Sequence, residues 1–258
     1  MLATPHTQHA DQITAAAAAG KHVFVEKPLT LTRESAERAV AACRNAGVTL
    51  GLGHNRRFAN NTVELKRMID AGELGTLLHA EANFSANLET LGETWRGSRD
   101  ESPAGGMTSL GIHALDCLVH LCGPIAQVDA RSVHRALPFD VDDATCALFD
   151  FENGMIGSLT TLAMTGRLWH VRVFGSTGWA ELRGYEQLVH MPVNGKINVL
   201  EYDADEAILS LKAELEAFAA AAQGGVPFRI TPDQMVHGIA VLQAISASAE
   251  SGGRISIS

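Results

Sequence analysis

The sequence predicts two structural parts: an incomplete, doubly wound α/β sheet, then an α+β domain with a mostly antiparallel open sheet and helices on one face. Short apolar segments alternate with amphipathic ones up to Gly53, which is typical of parallel strands joined by helices. After residue 144, short alternating segments are separated by hairpin signals such as Glu152-Asn153-Gly154. The chain has 258 residues, 46% of them hydrophobic, which is enough for one or two cores. We place the boundary between residues 1–54 and 55–258.

The central strand of the first part is predicted within His22–Thr30. Val23, Phe24 and Val25 are apolar without alternation, which favours a strand buried on both faces. Glu26 and Lys27 follow at its carboxyl end, where open α/β sheets bind their ligands, and Pro28 ends the strand. A lysine there can donate a proton to a substrate oxygen. The alternative is an exposed Glu–Lys pair in a loop.

Helices and strands are predicted on both sides of this strand. A helix begins at Thr7 or His9 and runs through the alanine block to Ala19. A second helix covers Arg33–Asn45, with Thr32 as its N-cap. Another buried strand covers Val48–Gly53, so the order is that of a doubly wound sheet.

Polar residues follow that strand in His54–Phe58. The adjacent Arg56 and Arg57 can meet an anionic or polyol ligand, and we assign Arg57 to the substrate; a solvated basic loop is the alternative. The next elements are a helix over Asn61–Ala71, a strand over Leu77–Ser85 and a loop over Leu88–Pro103. That loop holds Trp95 and Arg96, which suit a lid over a ring, although Trp95 can equally anchor the loop.

A helix over Gly105–Cys122 carries the remaining chemical groups. His113, Asp116, Cys117 and His120 follow one another at spacings that place side chains on neighbouring surface positions. His113 with Cys117, or Asp116 with His120, offers two metal ligands. No nearby segment supplies a third and fourth ligand, so we predict no metal.

The last part of the chain is predicted to form hairpins and two helices. The helices cover Glu206–Gln223 and Pro232–Ser251, and the second (about residues 231–251) can pack back on the first domain. The sheet face opposite the Gly105–Cys122 helix is predicted to carry four residues in a mixed pattern. Such a half-apolar open face often meets a second subunit, so we predict a homodimer or homotetramer joined through it. The four residues are Thr160, Leu162, Val171 and Val173.

Composition excludes several classes of function. The formal net charge of −9 argues against nucleic-acid binding, and no apolar run approaches the roughly 20 residues that span a membrane. The four cysteines form no C-x-x-C pair and are interpreted as reduced thiols of a cytoplasmic protein. We assign four further histidines no function: His134, His170, His190 and His237.

Four segments, in order, carry a resemblance to a known family. They are ATPHTQH (Ala3–His9), AAAAAGKHVFVEKPLT (Ala15–Thr30), GHNRRF (Gly53–Phe58) and GGMTSLGIHALD (Gly105–Asp116). Together they resemble the glucose–fructose oxidoreductase / inositol dehydrogenase / MocA family of NAD(P)-dependent oxidoreductases, over essentially the whole chain. The resemblance implies a Rossmann-like sheet in residues 1–54, NAD or NADP as cofactor, and a small-molecule substrate. The implied reaction is hydride transfer between nicotinamide and the carbinol or carbonyl carbon of a sugar, polyol or related cyclic alcohol.

The resemblance also implies roles for individual residues. Lys27 is the general acid/base, and His113 orients the substrate hydroxyl or shares its proton. The family pattern D-x-G-x-H has an aspartate where this sequence has Ser109, which weakens the expectation of polyol recognition because a serine cannot accept two hydroxyl hydrogen bonds as a carboxylate can. The cofactor-binding candidates are Thr4, Pro5, His6, His9, Glu26, Lys27, Pro28, Trp95 and Arg96, and the substrate-binding candidates are Arg57, Ser109 and His113.

Members of that family open with a G-x-G-x-x-G turn, and the nearest match here, Gly51-Leu52-Gly53, lacks the third glycine. We therefore expect an N-terminally truncated member. Residues 1–258 alone should bind NAD(P)H very weakly and turn nothing over, and an upstream segment of about 60–80 residues should restore both. The alternative function is that of a catalytically inactive relative that folds and self-associates. A third hypothesis is a metal-dependent enzyme whose metal is bound by the helix that carries His113.

Overall fold

The computed structural model describes residues 1–257, and a small parallel sheet forms its first part. Strands β1 (Val23–Glu26) and β2 (Leu50–Gly53) pair in parallel, with Glu26 opposite Gly53. Leu2 forms a parallel bridge to Val25 on the other side of β1. Val23, Phe24 and Val25 are all buried, so the prediction of a strand covered on both faces is confirmed.

Two helices cover this small sheet. Helix α1 spans His9–Ala18 after a 3₁₀ turn at His6–Gln8, and helix α2 spans Arg33–Asn45. The Thr32 side chain accepts from the backbone N–H of Ser35, and the Ser35 side chain caps Thr32 in return. The predicted N-cap is therefore confirmed, although its reciprocal partner is a serine.

The second part is a nine-stranded sheet in the order β10-β9-β8-β7-β3-β6-β5-β4-β11. Within the described part of this nine-stranded sheet, only the β3–β6 pair is parallel, so the predicted mostly antiparallel open sheet is confirmed. The three predicted hairpins are β5–β6, β7–β8 and β9–β10. The strands are β3 (Leu77–Asn87), β4 (Ile125–Val133), β5 (Ala144–Phe151), β6 (Ile156–Leu162), β7 (Met164–Gly175), β8 (Gly178–Arg183), β9 (Gln187–Pro192), β10 (Asn198–Glu201) and β11 (Ile255–Ser256).

Four helices belong to this second part. They are α3 (Asn60–Asp70), α4 (Ile112–Cys122), α5 (Glu206–Ala222) and α6 (Pro232–Ser251), and a π-helical turn at Met107–Gly111 leads into α4. Helix α4 packs on β3, and its apolar side chains form the larger core. Helix α6 packs on both β4 and α2, and so it joins the two sheets. No helix within residues 1–257 is both long and apolar enough to cross a membrane.

The predicted composition of the open sheet face was partly wrong. Val171 and Val173 are fully buried and belong to the core under the helices, because they pair with Ala82 and Ala80 on the helix-covered face of β3. Side chains alternate between the two faces of a strand, so a one-residue error in assignment reverses the face. Thr160 and Leu162 do lie on the other face and are half-buried.

The loop predicted over Leu88–Pro103 contains two short 3₁₀ turns, at Glu89–Glu93 and Trp95–Gly97. Its chain returns to the first part of the molecule through Glu101. The Glu101 carboxylate accepts hydrogen bonds from the backbone N–H and the hydroxyl of Thr7. This contact fixes the loop against the start of α1.

Candidate active site

The carboxyl ends of β1 and β2 meet the π-helical turn before α4, and Lys27 lies at this junction. Its Nζ donates a hydrogen bond to the Ser109 carbonyl oxygen at 2.5 Å. Burial lowers the pKa of Lys27 to about 8, although the nearby Glu26 carboxylate acts in the opposite direction. A lysine with a pKa near neutrality can both give and take a proton at physiological pH.

His113 begins α4 beside this lysine and is the second candidate group. Its ring lies 5.4 Å from the His54 ring and 6.1 Å from the Phe84 ring. Burial, with the charge of Lys27, lowers the pKa of His113 well below its ordinary value, so the ring is neutral at pH 7. Its Nδ1 is buried without a hydrogen-bond partner among residues 1–257, which leaves one ring nitrogen for a ligand.

The π-helical turn is what presents Ser109 and His113 together. A wider turn adds a residue to the helix and rotates the side chains that follow it. A side chain at position 111 would crowd this turn, because an added Cβ would lie 2.1 Å from Met107 Sδ and 2.5 Å from Thr161 Oγ1. A glycine therefore lies in this turn where Thr161 of the sheet comes close to the backbone.

Two buried groups that the sequence analysis did not identify complete the polar cluster. Glu214, on α5, accepts a hydrogen bond from the His54 backbone N–H at 2.6 Å, and burial raises its pKa to about 8. Burial lowers the pKa of His54 to about 4, and its Nδ1 has no partner in the described chain. His54 follows a buried strand directly, which is a usable sequence signal. Glu214 gives no such signal, because its helix pattern is ordinary.

Arg57, the arginine predicted to meet the substrate, pairs with Asp116, whose Oδ1 lies 3.9 Å from His54 Nε2. Its Nε and Nη2 donate to both carboxylate oxygens of Asp116 at 2.8 and 2.7 Å, and its Nη1 donates to Gln234 Oε1 at 2.7 Å. The residue is only 1% exposed. Arg57 therefore ties α4 to α6 with three of its five N–H groups, and its role in substrate binding stays a prediction.

The predicted cofactor loop at Thr4–His9 lies next to the turn after β1. The two ring nitrogens of His9 lie 3.0 Å from the Pro28 carbonyl oxygen and 3.1 Å from that of Thr4. Because both neighbours are carbonyl oxygens, the ring bridges the two loops. Pro5 stands immediately before the 3₁₀ turn that starts α1.

His6 connects this loop to the predicted lid. Its Nδ1 lies 2.6 Å from the Glu101 carbonyl oxygen, and burial lowers its pKa to about 4. The Trp95 ring meets the His6 ring edge-on at 4.7 Å, and the Arg96 guanidinium carbon lies 4.0 Å over the Trp95 ring. Trp95 and Arg96 are thus beside the cofactor candidates, and these contacts fit both a lid and a loop anchor.

The structure thus gathers most of the candidates into two adjacent groups. Lys27, Ser109 and His113 form one, around the carboxyl end of β1. His6, Trp95 and Arg96 form the other, along the start of α1. Within the described residues, no set of three or more His, Cys, Asp or Glu side chains is arranged to hold a metal ion.

Comparison with known proteins gives consistent matches along the chain. Residues 1–54 match a family model described as an oxidoreductase family with an NAD-binding Rossmann fold. Residues 62–181 match the model of the GFO/IDH/MocA C-terminal domain.

Similar proteins act on sugar-like molecules. The chain is 32% identical to 2,7-anhydro-N-acetylneuraminate hydratase of Escherichia coli (62% of this chain, 44% of that protein). It is also 32% identical to scyllo-inositol 2-dehydrogenase (NADP(+)) IolW of Bacillus subtilis (51% and 36%). It thus spans less than half the length of these curated relatives. A structure of levoglucosan dehydrogenase with NADH and levoglucosan shares the fold, with a TM-score of 0.88 at 21% identity over 99% of this chain and 79% of that one.

Proposed function

The chain belongs to the GFO/IDH/MocA oxidoreductase family, and on that premise we propose that it transfers a hydride between NAD or NADP and the carbinol or carbonyl carbon of a sugar, polyol or related cyclic alcohol. The observation that carries this proposal is the half-buried Lys27 ammonium near the unpartnered Nδ1 of His113. Together they offer a proton-transfer group and a hydrogen-bonding group to one substrate oxygen.

The cluster fits a site for further bound molecules, because His54 and His113 each keep a buried Nδ1 without a protein partner in residues 1–257. When bound, the nicotinamide supplies the hydride acceptor or donor. Thr4, Pro5, His6 and His9 would hold it on one side, with Trp95 and Arg96 over it. Glu26, Lys27 and Pro28 would meet its reactive end.

Lys27 is the proposed acid/base. In oxidation, its neutral Nζ takes the proton of the substrate hydroxyl; in reduction, its ammonium returns that proton. The hydrogen bond to the Ser109 carbonyl oxygen fixes the direction of the Nζ lone pair. The neutral ring of His113 holds the same oxygen through Nδ1, which fixes the carbinol carbon for transfer.

We also propose that residues 1–54 hold the dinucleotide, and that residues 55–258 hold the substrate and the subunit interface. The support for assembly is the open sheet face, where Leu148 and Ile156 are 63% and 56% exposed. A homodimer or homotetramer would cover them. We place the protein in the cytoplasm, in keeping with its four free thiols.

The test is the Lys27→Met variant of the full-length enzyme, assayed by nicotinamide absorbance against a panel of sugars and polyols. We expect kcat to fall at least about a hundredfold while the Kd for NAD(P)H changes little. Lys21→Met, which removes an exposed lysine before β1, is the matched control. Near-normal turnover by the Lys27 variant would remove Lys27 from the chemistry, and the absence of any turnover by the parent would refute the proposed function.

A further inference from the structure

The two adjacent arginines after β2 have opposite surroundings. Arg57 has a carboxylate and an amide oxygen for its guanidinium. Arg56 makes a single side-chain hydrogen bond, from Nη1 to the Gly184 carbonyl oxygen at 2.9 Å. Neither its Nε nor its Nη2 has a hydrogen-bond partner in residues 1–257, and no carboxylate in that range lies within ion-pair distance of it.

Aromatic rings cover both faces of the Arg56 guanidinium. Its central carbon lies 3.8 Å from the centre of the Trp169 ring and 3.3 Å from that of Tyr185. The residue is 4% exposed. Burial lowers its pKa to about 10, so it remains cationic at neutral pH. Cation–π contacts stabilise such a charge in part, but they leave the Nε–H and Nη2–H groups of Arg56 without a protein acceptor in residues 1–257.

Trp169 adds a second unsatisfied donor at the same place. Its Nε1 is buried and has no partner among the described residues. Buried indole N–H groups usually find an acceptor, so this one indicates an acceptor that the protein itself does not supply. A guanidinium edge and an indole N–H together present several donors and no acceptor, which suits an anion.

This pair of donors lies close to the proposed reaction centre. The Phe84 ring is 5.0 Å from the Trp169 ring and 6.1 Å from the His113 ring, so one aromatic side chain separates the two places. The positive charge of Arg56 is also among the causes that lower the pKa of His113. A group bound at Arg56 would therefore lie near a substrate oxygen held by His113.

We propose that Arg56 and Trp169 Nε1 form a subsite for a carboxylate of the substrate, so that the preferred substrate is a sugar acid and not a neutral sugar. The inference rests on the proposed function, since it assigns the substrate class of that site. The carboxylate would accept from the free edge of the guanidinium and from the indole N–H. Arg57, which is 1% exposed and held by Asp116 and Gln234, takes no part.

The test compares matched neutral and acidic sugars on the full-length enzyme. The pairs are D-glucose with D-glucuronate and D-galactose with D-galacturonate, and D-glucose 6-phosphate is a further probe. Binding is followed by tryptophan fluorescence, and turnover by nicotinamide absorbance. In at least one pair, the acid should bind at least about tenfold more tightly than its neutral partner, because a hydrogen bond to a charged group contributes roughly 1.5–3 kcal/mol.

Two variants test whether the preference for the acidic sugar arises from the proposed subsite. Arg56→Gln should reduce the preference for the acid at least about tenfold. Trp169→Phe keeps an aromatic ring on the guanidinium but removes the indole N–H with the rest of the pyrrole ring, so it should weaken binding of the acid more than binding of the neutral sugar. It also gives an answer if Arg56→Gln fails to fold. Arg183→Gln, which changes an exposed arginine bound to Glu181 on the same sheet, is the matched control and should keep the preference.

The outcomes separate this inference from the proposed function. Turnover of neutral and acidic sugars with equal efficiency overturns the subsite and leaves the oxidoreductase intact. Acid binding that depends on Arg56, without any turnover, supports the subsite and refutes the proposed function. Tighter binding of the sugar phosphate than of either acid overturns the carboxylate assignment. So does an acid preference that survives both variants, and so does the absence of binding in every pair.

Discussion

The buried ion pair between Arg57 and Asp116 should contribute strongly to stability, and Asp116→Asn tests it. The guanidinium is 1% exposed, and it donates to both carboxylate oxygens. An asparagine keeps the shape but turns one acceptor into an NH₂ donor and leaves a buried cation without its counter-charge. Breaking one side of a buried pair costs about 3–5 kcal/mol. For a chain of this length, that corresponds to a fall in Tm of roughly 6–20 °C.

The measurement is urea and thermal unfolding of both proteins, followed by circular dichroism. Glu64→Gln is the matched control, because it breaks a two-bond pair with Arg67 that is open to solvent, and it should change the free energy of unfolding by less than about 1 kcal/mol. A change of that small size for Asp116→Asn would show that the reasoning about Arg57 is wrong.

The Arg57–Asp116 pair also predicts how the difference in free energy of unfolding between the parent and Asp116→Asn depends on pH. Burial raises the pKa of Asp116, but the charge and hydrogen bonds of Arg57, together with His54 and His120, outweigh burial and hold that pKa below its ordinary value. A carboxylate with a lowered pKa stabilises the folded state above its unfolded pKa, and the contribution disappears as the pH falls through the folded value. The difference in free energy of unfolding between the parent and Asp116→Asn should therefore become smaller as the pH falls.

Three further outcomes are expected. Because the pKa of Lys27 is lowered to about 8, kcat/KM for oxidation should rise through that pH while kcat/KM for reduction falls, and parallel profiles in both directions would contradict its role. The pKa of Glu214 is raised to about 8, so the folded state loses stability as the pH rises from its unfolded value near 4.5 to about 8; Glu214→Gln should flatten that slope in unfolding titrations, and an unchanged slope would count against it. Leu148→Glu should convert the assembly to monomers, as measured by light scattering, whereas Val226→Glu, in an exposed loop, should not. A monomeric parent protein would refute the proposed assembly.

Local signals explain why much of the fold followed from the sequence. Helix α2 was predicted with the bounds Arg33–Asn45 that the structure has. A threonine cap precedes this segment, an apolar stripe runs along it and a glycine follows it. Strand β1 was found from three consecutive apolar residues and a proline. These features act over a few residues, and so a sequence displays them.

The different surroundings of Arg56 and Arg57 have a physical cause that the sequence does not display. Arg56 and Arg57 are neighbours in a 3₁₀ turn, and successive side chains of such a turn point about 120° apart. Which arginine meets Asp116 and which meets Trp169 depends on partners 59 and 113 positions further along the chain (116 − 57 and 169 − 56). The two arginines are chemically identical, so only the packing distinguishes them.

The protonation states of the buried groups make the proposed site positively charged. Burial keeps His54 and His113 neutral at pH 7, and Glu214, with a pKa of about 8, remains largely protonated there. The charge of Asp116 is cancelled by Arg57. Of the charges at the cluster, the cations Lys27 and Arg56 therefore outnumber Glu26. Removing a hydroxyl proton builds negative charge on the substrate oxygen, and fixed positive groups stabilise that charge most where water is excluded. The same excess of positive charge is what a carboxylate on the substrate would neutralise, so one arrangement serves both alkoxide formation and the selection of an acidic sugar.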